Sequence, residues 1–172
     1  MIELTSRELE VRLDPTHGAE ILTLTELRSG RQLLGRPPHE PAPPLGGDLD
    51  EEGWTARYRG GWQIAAPNAG NACSVAGEHH GFHGRASVDP WEVLEHDNAR
   101  AVLRWCGHGL ELIRSVAVAA ATVNMSLSWT ATGSRAPLVA VEHLCFGSEL
   151  LDPESEVLAD ALARELSETD AS

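Results

Sequence analysis

Three histidines lie close together in one short segment of this sequence. The segment HHGFHGRASVDPW, from His79 to Trp91, contains His79, His80 and His83 together with two glycines and an arginine. Each glycine destabilises a helix by about 1 kcal/mol relative to alanine, and glycine also weakens a strand. We therefore predict a loop here, and loops that carry titratable groups are frequent places for functional sites.

The three imidazoles of this loop allow two interpretations. Imidazole is a common protein ligand of zinc and copper, so His79, His80 and His83 could bind a metal ion. A metal site needs further ligands that converge with them, and the sequence shows neither an HxH nor an HExxH spacing. The other interpretation is that these are loop histidines exposed to water. We predict that the chain binds no metal and no cofactor.

A further histidine, His143, ends the apolar part of the segment VAVEHLCFG. Strand alternation places Val139, Val141 and His143 on one face and Glu142 on the other. A histidine on an apolar face is most often a hydrogen-bonded core residue. At the end of a strand, however, an imidazole with an ordinary pKa of about 6.5 is well placed for general acid catalysis.

The segment YRGGWQIAAPNAG, from Tyr58 to Gly70, is the third candidate. Its paired glycines permit close approach of the backbone to a ligand. Trp62 offers an apolar surface of the type on which sugar rings stack. The alternative interpretation is a Gly-Gly-Trp turn that leads into a buried tryptophan.

The composition favours one globular domain that does not bind polyanions. The chain has 172 residues, with 13 Lys and Arg against 26 Asp and Glu and a net charge of −13. This charge disfavours nucleic acid and anionic membranes as partners. No segment has the pattern of a signal peptide or a membrane span. We expect a cytoplasmic protein whose three cysteines are reduced.

Alternation with a period of two predicts an all-β antiparallel fold. Residues 9–13 and 21–24 are predicted strands joined by a turn from Pro15 to Gly18, and residues 36–53 are predicted to form a surface loop. Five further alternating segments follow from Trp91 at the spacing of an antiparallel meander. These segments are WEVLEH, ARAVLRWCG, LELIRSVAVA, ATVNMSLSWTATG and PLVAVEHLCFG.

Two regions of the chain differ in character. Residues 1–152 form the predicted β-domain, whereas residues 153–172 are largely polar. Asp152 as N-cap, followed by Pro153, predicts a short amphipathic C-terminal helix, with a further strand at SEVLAD as the alternative. The last residues are expected to be disordered.

Taken in order, five segments resemble the aldose 1-epimerase family, whose members are also called galactose mutarotases. The resemblance covers residues 8–152 and implies the antiparallel β-sandwich of that family, a supersandwich with a sugar cleft on its concave face. It also implies interconversion of the α and β anomers of an aldose, in which a histidine acid protonates the ring oxygen and a carboxylate base removes the anomeric proton. The segments are GAEILTLTEL, GGWQIAAPNAG, HHGFHGRASVDPWEV, IRSVAVAAATVNMSLSWTATG and APLVAVEHLCFG.

The resemblance implies roles for individual residues. His143 matches the family's acid, and His80 matches its His-Gly histidine, which contacts the sugar; both are predicted catalytic residues. Arg85 stands where relatives place an arginine that contacts substrate or phosphate. Trp62 and Asn68 are predicted sugar contacts, so the expected ligand is an aldose or a sugar phosphate.

The family's glutamate base has no match in this chain. That residue comes from the C-terminal half of the family fold, and Glu142 is expected on the face opposite His143. We therefore expect a partial β-sandwich with impaired catalysis, and a non-catalytic carbohydrate-binding or regulatory module is the alternative. Strand edges left without partners also favour a homodimer that covers them.

Overall fold

The computed structural model describes residues 1–75, 77–132, 138–148 and 150, and it confirms an antiparallel β fold. One short helix, α1 (Glu51–Thr55), occurs among these residues, together with a 3₁₀ turn at Arg85–Ser87. The strands are β1 (Ile2–Thr5), β2 (Leu9–Asp14), β3 (Glu20–Glu26), β4 (Arg31–Gln32), β5 (Trp62–Ala65), β6 (Cys73–Val75), β7 (Glu78–His80), β8 (Glu92–His96), β9 (Arg100–Gly107), β10 (Leu110–Ala119), β11 (Thr122–Ala131) and β12 (Val141–Leu144).

Two sheets face each other across the core. The first sheet has the strand order β1-β2-β3-β5-β12, with β4 paired to β3, and the second has the order β11-β10-β9-β8. Strands β6 and β7 form a separate ribbon. The predicted meander accounts for β8 to β11, whereas β12 pairs with β5 in the other sheet. Alternation alone does not specify a partner strand, which is why the sequence did not predict this crossover.

Alternating residues of each strand fill the space between the sheets. In β10 every second residue from Leu110 to Val118 is buried, and the residues between them are half-buried. Burial of each large aliphatic side chain contributes about 1.5–3 kcal/mol to folding. The core includes Ile2, Leu4, Val11, Leu13, Ile21 and Ile64 from the first sheet and Ala101, Leu103, Trp105, Leu110, Leu112, Val116 and Val118 from the second.

Two segments that we predicted as loops contain short regular elements. Helix α1 begins inside the predicted loop 36–53, where the Asp50 side chain accepts a hydrogen bond from the backbone N–H of Gly53 at 2.8 Å. In the histidine loop, β7 extends to His80 and pairs with β6. Elements of three to five residues are too short to display a period, so only their tertiary partners identify them.

An ion pair between a buried arginine and a partly exposed glutamate joins the two sheets. Arg114 of β10 is fully buried, and its Nη2 lies 2.7 Å from Glu142 Oε2 of β12. Its Nη1 donates to the carbonyl oxygen of Ala19, next to the start of β3. Burial lowers the pKa of Arg114, and the neighbouring carboxylate of Glu142 opposes that effect. One guanidinium therefore connects the second sheet to two strands of the first.

A row of polar side chains crosses the first sheet on the face turned away from the core. Asp14 pairs with Glu20 in register, and Gln63 donates to Glu20 Oε2 at 2.6 Å. Arg59 pairs with both carboxylates and lies 2.8 Å from Asp14 Oδ2. Burial raises the pKa of Glu20 to about 7, although Arg59 and Gln63 lower it. The row ends at His143, which is the register partner of Gln63.

Three further predictions concern the C-terminal tail, membrane-spanning segments and the edges of the sheets. The predicted C-terminal helix and tail, residues 153–172, lie outside the described residues. No helix in the described part of the chain is long and apolar enough to cross a membrane. Strand β11 forms an edge of the second sheet, and its Trp129 is 61% exposed. A homodimer that covers this edge stays a prediction.

Removal of one partner of the ion pair between Arg114 and Glu142 should destabilise the fold strongly. Glu142→Gln leaves the Arg114 charge buried without its carboxylate, and we expect a loss of about 2–4 kcal/mol in the free energy of unfolding. Arg114→Met/Glu142→Gln should lose less than the sum of the two single variants, because the double variant holds no unpaired charge. Urea unfolding followed by tryptophan fluorescence measures all three.

The exposed pair of Arg104 and Glu92 provides the control, because both side chains are well exposed. Glu92→Gln should lose less than about 1 kcal/mol. Additive single variants at Arg114 and Glu142 would show that the two residues are not coupled across the core.

The raised pKa of Glu20 predicts a pH-dependent stability. Between about pH 4.5 and 7 the unfolded chain has released a proton that folded Glu20 still holds, so this residue makes the free energy of unfolding fall as pH rises. Glu20→Gln removes that titration. The free energy of unfolding of the variant minus that of the wild type should therefore increase as pH rises from about 4.5 to 7, by up to about 3 kcal/mol. Urea unfolding at successive pH values measures the difference, and a difference independent of pH would contradict the prediction.

Candidate functional site

His143 lies in a cluster of aromatic rings at the end of the polar row. Its ring stacks on Tyr58, with centroids 5.6 Å apart and planes at 21°. The centroid of His83 lies 6.1 Å from that of His143, and the centroid of Trp54 lies 6.5 Å from it. Phe82 contacts both His83 and Trp54. We refer to these five residues as the His143 cluster.

Helix α1 supplies one side of the His143 cluster. Trp54 and Tyr58 are four residues apart, and their rings stack at 5.2 Å. Trp54 is buried, and its indole Nε1 donates to Ser87 Oγ at 3.1 Å. Burial raises the pKa of Tyr58, so its hydroxyl stays protonated and able to donate a hydrogen bond. Together the two rings form an apolar wall with a polar edge.

The loop after β7 supplies the other side through a left-handed backbone. His83 has a φ of +58° and Gly84 has a φ of +69°. A Cβ at Gly84 would clash with the backbone of Ala66 and Pro67, so glycine is required there. A residue other than glycine adopts this conformation only at an energetic cost, and such strained residues are common at functional sites. The backbone at these two residues fixes His83 against Trp54, with ring centroids 4.6 Å apart.

The two imidazoles of the cluster differ in environment. Burial and the neighbouring His143 lower the pKa of His83, so His83 is neutral at neutral pH. Nδ1 of His83 and Nδ1 of His143 both lack a hydrogen-bond partner among the described residues. The ring centroids of the two imidazoles lie 6.1 Å apart, about 1 Å farther than in a direct hydrogen bond between two imidazoles. A neutral imidazole can accept a proton and an imidazolium can donate one, so the pair has the groups that acid–base catalysis needs.

The structure places His80 in a different environment from His143. The ring of His80 lies 4.7 Å from that of His108, beside Glu78. Burial and His108 lower the pKa of His80. His80 has no ring contact with His143 in the part of the chain that the structure describes. Its predicted role as a sugar contact stays a prediction, and His83 is the loop histidine that faces His143.

The other predicted contacts lie outside the His143 cluster. Asn68 uses its amide nitrogen to donate to the carbonyl oxygens of Gly70, Asn71 and Gly81, so it holds the two loops together. Trp62 lies on the core face of β5, in register with Leu144.

Arg85 pairs with Asp89 at 2.9 Å on the 3₁₀ turn. It lines a surface groove of about 450 Å³ together with Asp89, Pro90, Glu92, Arg104, Trp105 and Cys106. These residues do not overlap with the five that surround His143. Arg85 and Asp89 thus form an ion pair with each other, away from the His143 cluster.

Sequence reasoning missed Trp54 and Tyr58, and it treated His83 only as a candidate metal ligand or an exposed loop histidine. Trp54 and Tyr58 follow a recognisable helix start, since Asp50 is an N-cap residue with acidic residues after it. Their spacing of four residues was therefore an available signal. His83 had none, because its orientation depends on the backbone at Gly84 and on contacts with α1.

The chain resembles several solved structures, although no family model and no curated protein matches its sequence. A galactose mutarotase-like protein from Clostridium acetobutylicum has a TM-score of 0.59 and 16% identity, and the match covers 88% of this chain and 52% of that one. A galactose mutarotase-like protein from Lactobacillus casei has a TM-score of 0.58 and 11% identity, with coverage of 78% and 45%. The chain thus spans about half the length of the structures it matches.

At such low sequence identity the structural likeness shows the fold alone, and any activity has to be argued from the residues of the site. The antiparallel sandwich and its match to both structures agree with the fold that the sequence predicted, although the position of β12 in the first sheet was not predicted. This chain therefore has the fold of the galactose mutarotase-like proteins.

Proposed function

We propose that this chain is an aldose 1-epimerase-like protein that interconverts the anomers of an aldose, with His143 and His83 as its acid and base. One observation carries the proposal: two imidazoles, each with an Nδ1 that lacks a hydrogen-bond partner among the described residues, lie with ring centroids 6.1 Å apart in an aromatic cluster. The likeness of the fold to galactose mutarotase-like proteins supports it.

The reaction needs one proton donor and one proton acceptor at neighbouring sugar oxygens. His143 donates a proton to the ring oxygen while neutral His83 accepts the proton of the anomeric hydroxyl. The bond between C1 and the ring oxygen breaks, its electron pair goes to the ring oxygen, and C1 becomes an aldehyde carbon. Rotation about the C1–C2 bond and closure with reversed proton transfers give the other anomer.

His83 takes the role that a carboxylate has in the resembled family. Glu20 is fully buried behind Gln63 and Arg59, and Glu142 is held by Arg114 on the opposite face of β12. Neither carboxylate is placed to contact a sugar beside His143. The charge of Glu51, at the start of α1, raises the affinity of His83 for a proton and so favours the imidazolium formed during the reaction.

The residues around His143 favour a neutral aldose over a sugar phosphate. Tyr58 and Phe82 are half-buried aromatic residues, which suit contact with the C–H groups of a pyranose, and buried Trp54 packs behind them. Arg85 is paired with Asp89 in a separate groove, and the net charge of −13 does not attract a dianion.

The cysteines are free, which supports a reducing, cytoplasmic location.

Substitution of either imidazole should abolish most of the anomer interconversion. We expect the wild-type chain to accelerate the change in optical rotation of freshly dissolved α-glucose or α-galactose. His143→Gln and His83→Gln should each lower the catalysed rate by about 100-fold or more, because each removes one proton-transfer group. Polarimetry at fixed protein concentration measures these rates.

His96→Gln is the matched control, because His96 is exposed on β8 and lies outside the cluster. Its rate should equal that of the wild type. An undiminished rate for His83→Gln would remove His83 as the base. A wild-type rate equal to that of buffer, together with sugar binding by calorimetry, would replace the enzyme with the alternative, a non-catalytic carbohydrate-binding module.

A further inference from the structure

Two buried histidines meet outside the His143 cluster without hydrogen-bond partners. His80 is 4% exposed, the side chain of His108 is 8% exposed, and their ring centroids are 4.7 Å apart. None of their four ring nitrogens has a hydrogen-bond partner among the described residues. Buried polar atoms are normally satisfied, so two adjacent imidazoles left in this way indicate a ligand other than protein.

Glu78 completes a set of three converging donor atoms. Its Oε1 lies 3.0 Å from His108 Nδ1, yet the two atoms do not form a hydrogen bond of acceptable geometry. One donor atom each from Glu78, His80 and His108 lies within 4.8 Å of the other two. Ligand atoms on a tetrahedral zinc ion are about 3.3 Å apart, so small side-chain rotations would bring all three onto one ion.

The backbone places these three side chains together by two simple devices. Glu78 and His80 are two residues apart on β7, so both project from the same face of the strand. His108 lies in the tight turn between β9 and β10, where His108 has a φ of +51° and Gly109 a φ of +68°. Two consecutive left-handed residues are typical of the turn that joins antiparallel strands.

We propose that Glu78, His80 and His108 bind a divalent transition-metal ion such as Zn²⁺. Two imidazole nitrogens and one carboxylate oxygen suit zinc and its neighbours, whereas calcium and magnesium prefer oxygen ligands alone. Three protein ligands leave a fourth position for water.

Asp48 occupies the place of an orienting carboxylate. Its Oδ1 lies 3.8 Å from His108 Nε2, the nitrogen on the far side of the ring from Glu78. A histidine that binds a metal through one nitrogen commonly donates its other N–H to a carboxylate or a carbonyl. Asp48 Oδ1 also accepts a hydrogen bond from the backbone N–H of Gly81 at 3.1 Å. The ion would therefore connect β7, the β9–β10 turn and the loop that contains Asp48.

This site is independent of the proposed sugar chemistry. It assigns His80 to the metal and leaves His83 and His143 for the sugar. The ion would hold the β7 end of the loop between His80 and His83 in place. Metal binding is measured directly, so its failure and the failure of the epimerase proposal are distinguishable.

Metal titration of the untagged chain tests the proposal. After treatment with EDTA and dialysis, the chain should bind one Co²⁺ with the visible absorption of a tetrahedral site, and Zn²⁺ should displace it. Glu78→Gln and His108→Asn should each weaken Zn²⁺ binding by more than about 100-fold, since loss of even an outer partner changes affinity by about 10- to 100-fold. Zn²⁺ should also raise the Tm of the wild type and not that of the variants.

Two control variants lie beside the proposed ligands. His79→Asn changes the exposed histidine between Glu78 and His80, and Cys73→Ser changes the register partner of His80. Both should bind Zn²⁺ like the wild type. Glu78 is exposed, so Glu78→Gln should fold normally, and circular dichroism checks this. Absence of stoichiometric binding, or wild-type affinity in Glu78→Gln and His108→Asn, would overturn the proposal.

Discussion

The architecture of this protein depends on one buried guanidinium. Arg114 reaches from the second sheet to Glu142 and to the carbonyl oxygen of Ala19 in the first. A charge in a low-dielectric core is tolerated only with well-placed partners, so Arg114 restricts where β12 can lie. Once Glu142 points inward, strand alternation turns His143 outward. The ion pair therefore sets both the union of the sheets and the orientation of the candidate acid.

The two faces of the first sheet differ in composition: one is apolar and the other is polar. Its inner face carries Leu13, Ile21 and Ile64 and contributes to the core. Its outer face carries the polar row from Asp14 to His143, which Arg59 covers from the loop before β5. The chain segment before β5 lies beside that row and also supplies Trp54 and Tyr58 of the His143 cluster. A rigid sheet that positions loop residues is the usual construction of a binding site.

One short segment contributes residues to both of the proposed sites. Glu78 and His80 project toward His108, whereas three residues later His83 projects toward His143. The backbone at Gly81 passes against the loop at Leu49, where a Cβ would clash, and Gly84 passes against Ala66. These two close approaches separate the imidazoles. The proposed metal site would hold the first end of the segment in place, and His83, the proposed base, lies at the other.

Local periodicity determined much of the fold from the sequence alone. The strands β2, β3 and β8 to β11 and the opposite orientations of Glu142 and His143 follow from alternation, because neighbouring residues encode it. Only the tertiary structure decided that β12 joins the first sheet, that Trp54 and Tyr58 surround His143, and that His80 meets His108. Each of these contacts joins segments far apart in the chain, and a pattern within one segment contains no information about which distant segment packs against it.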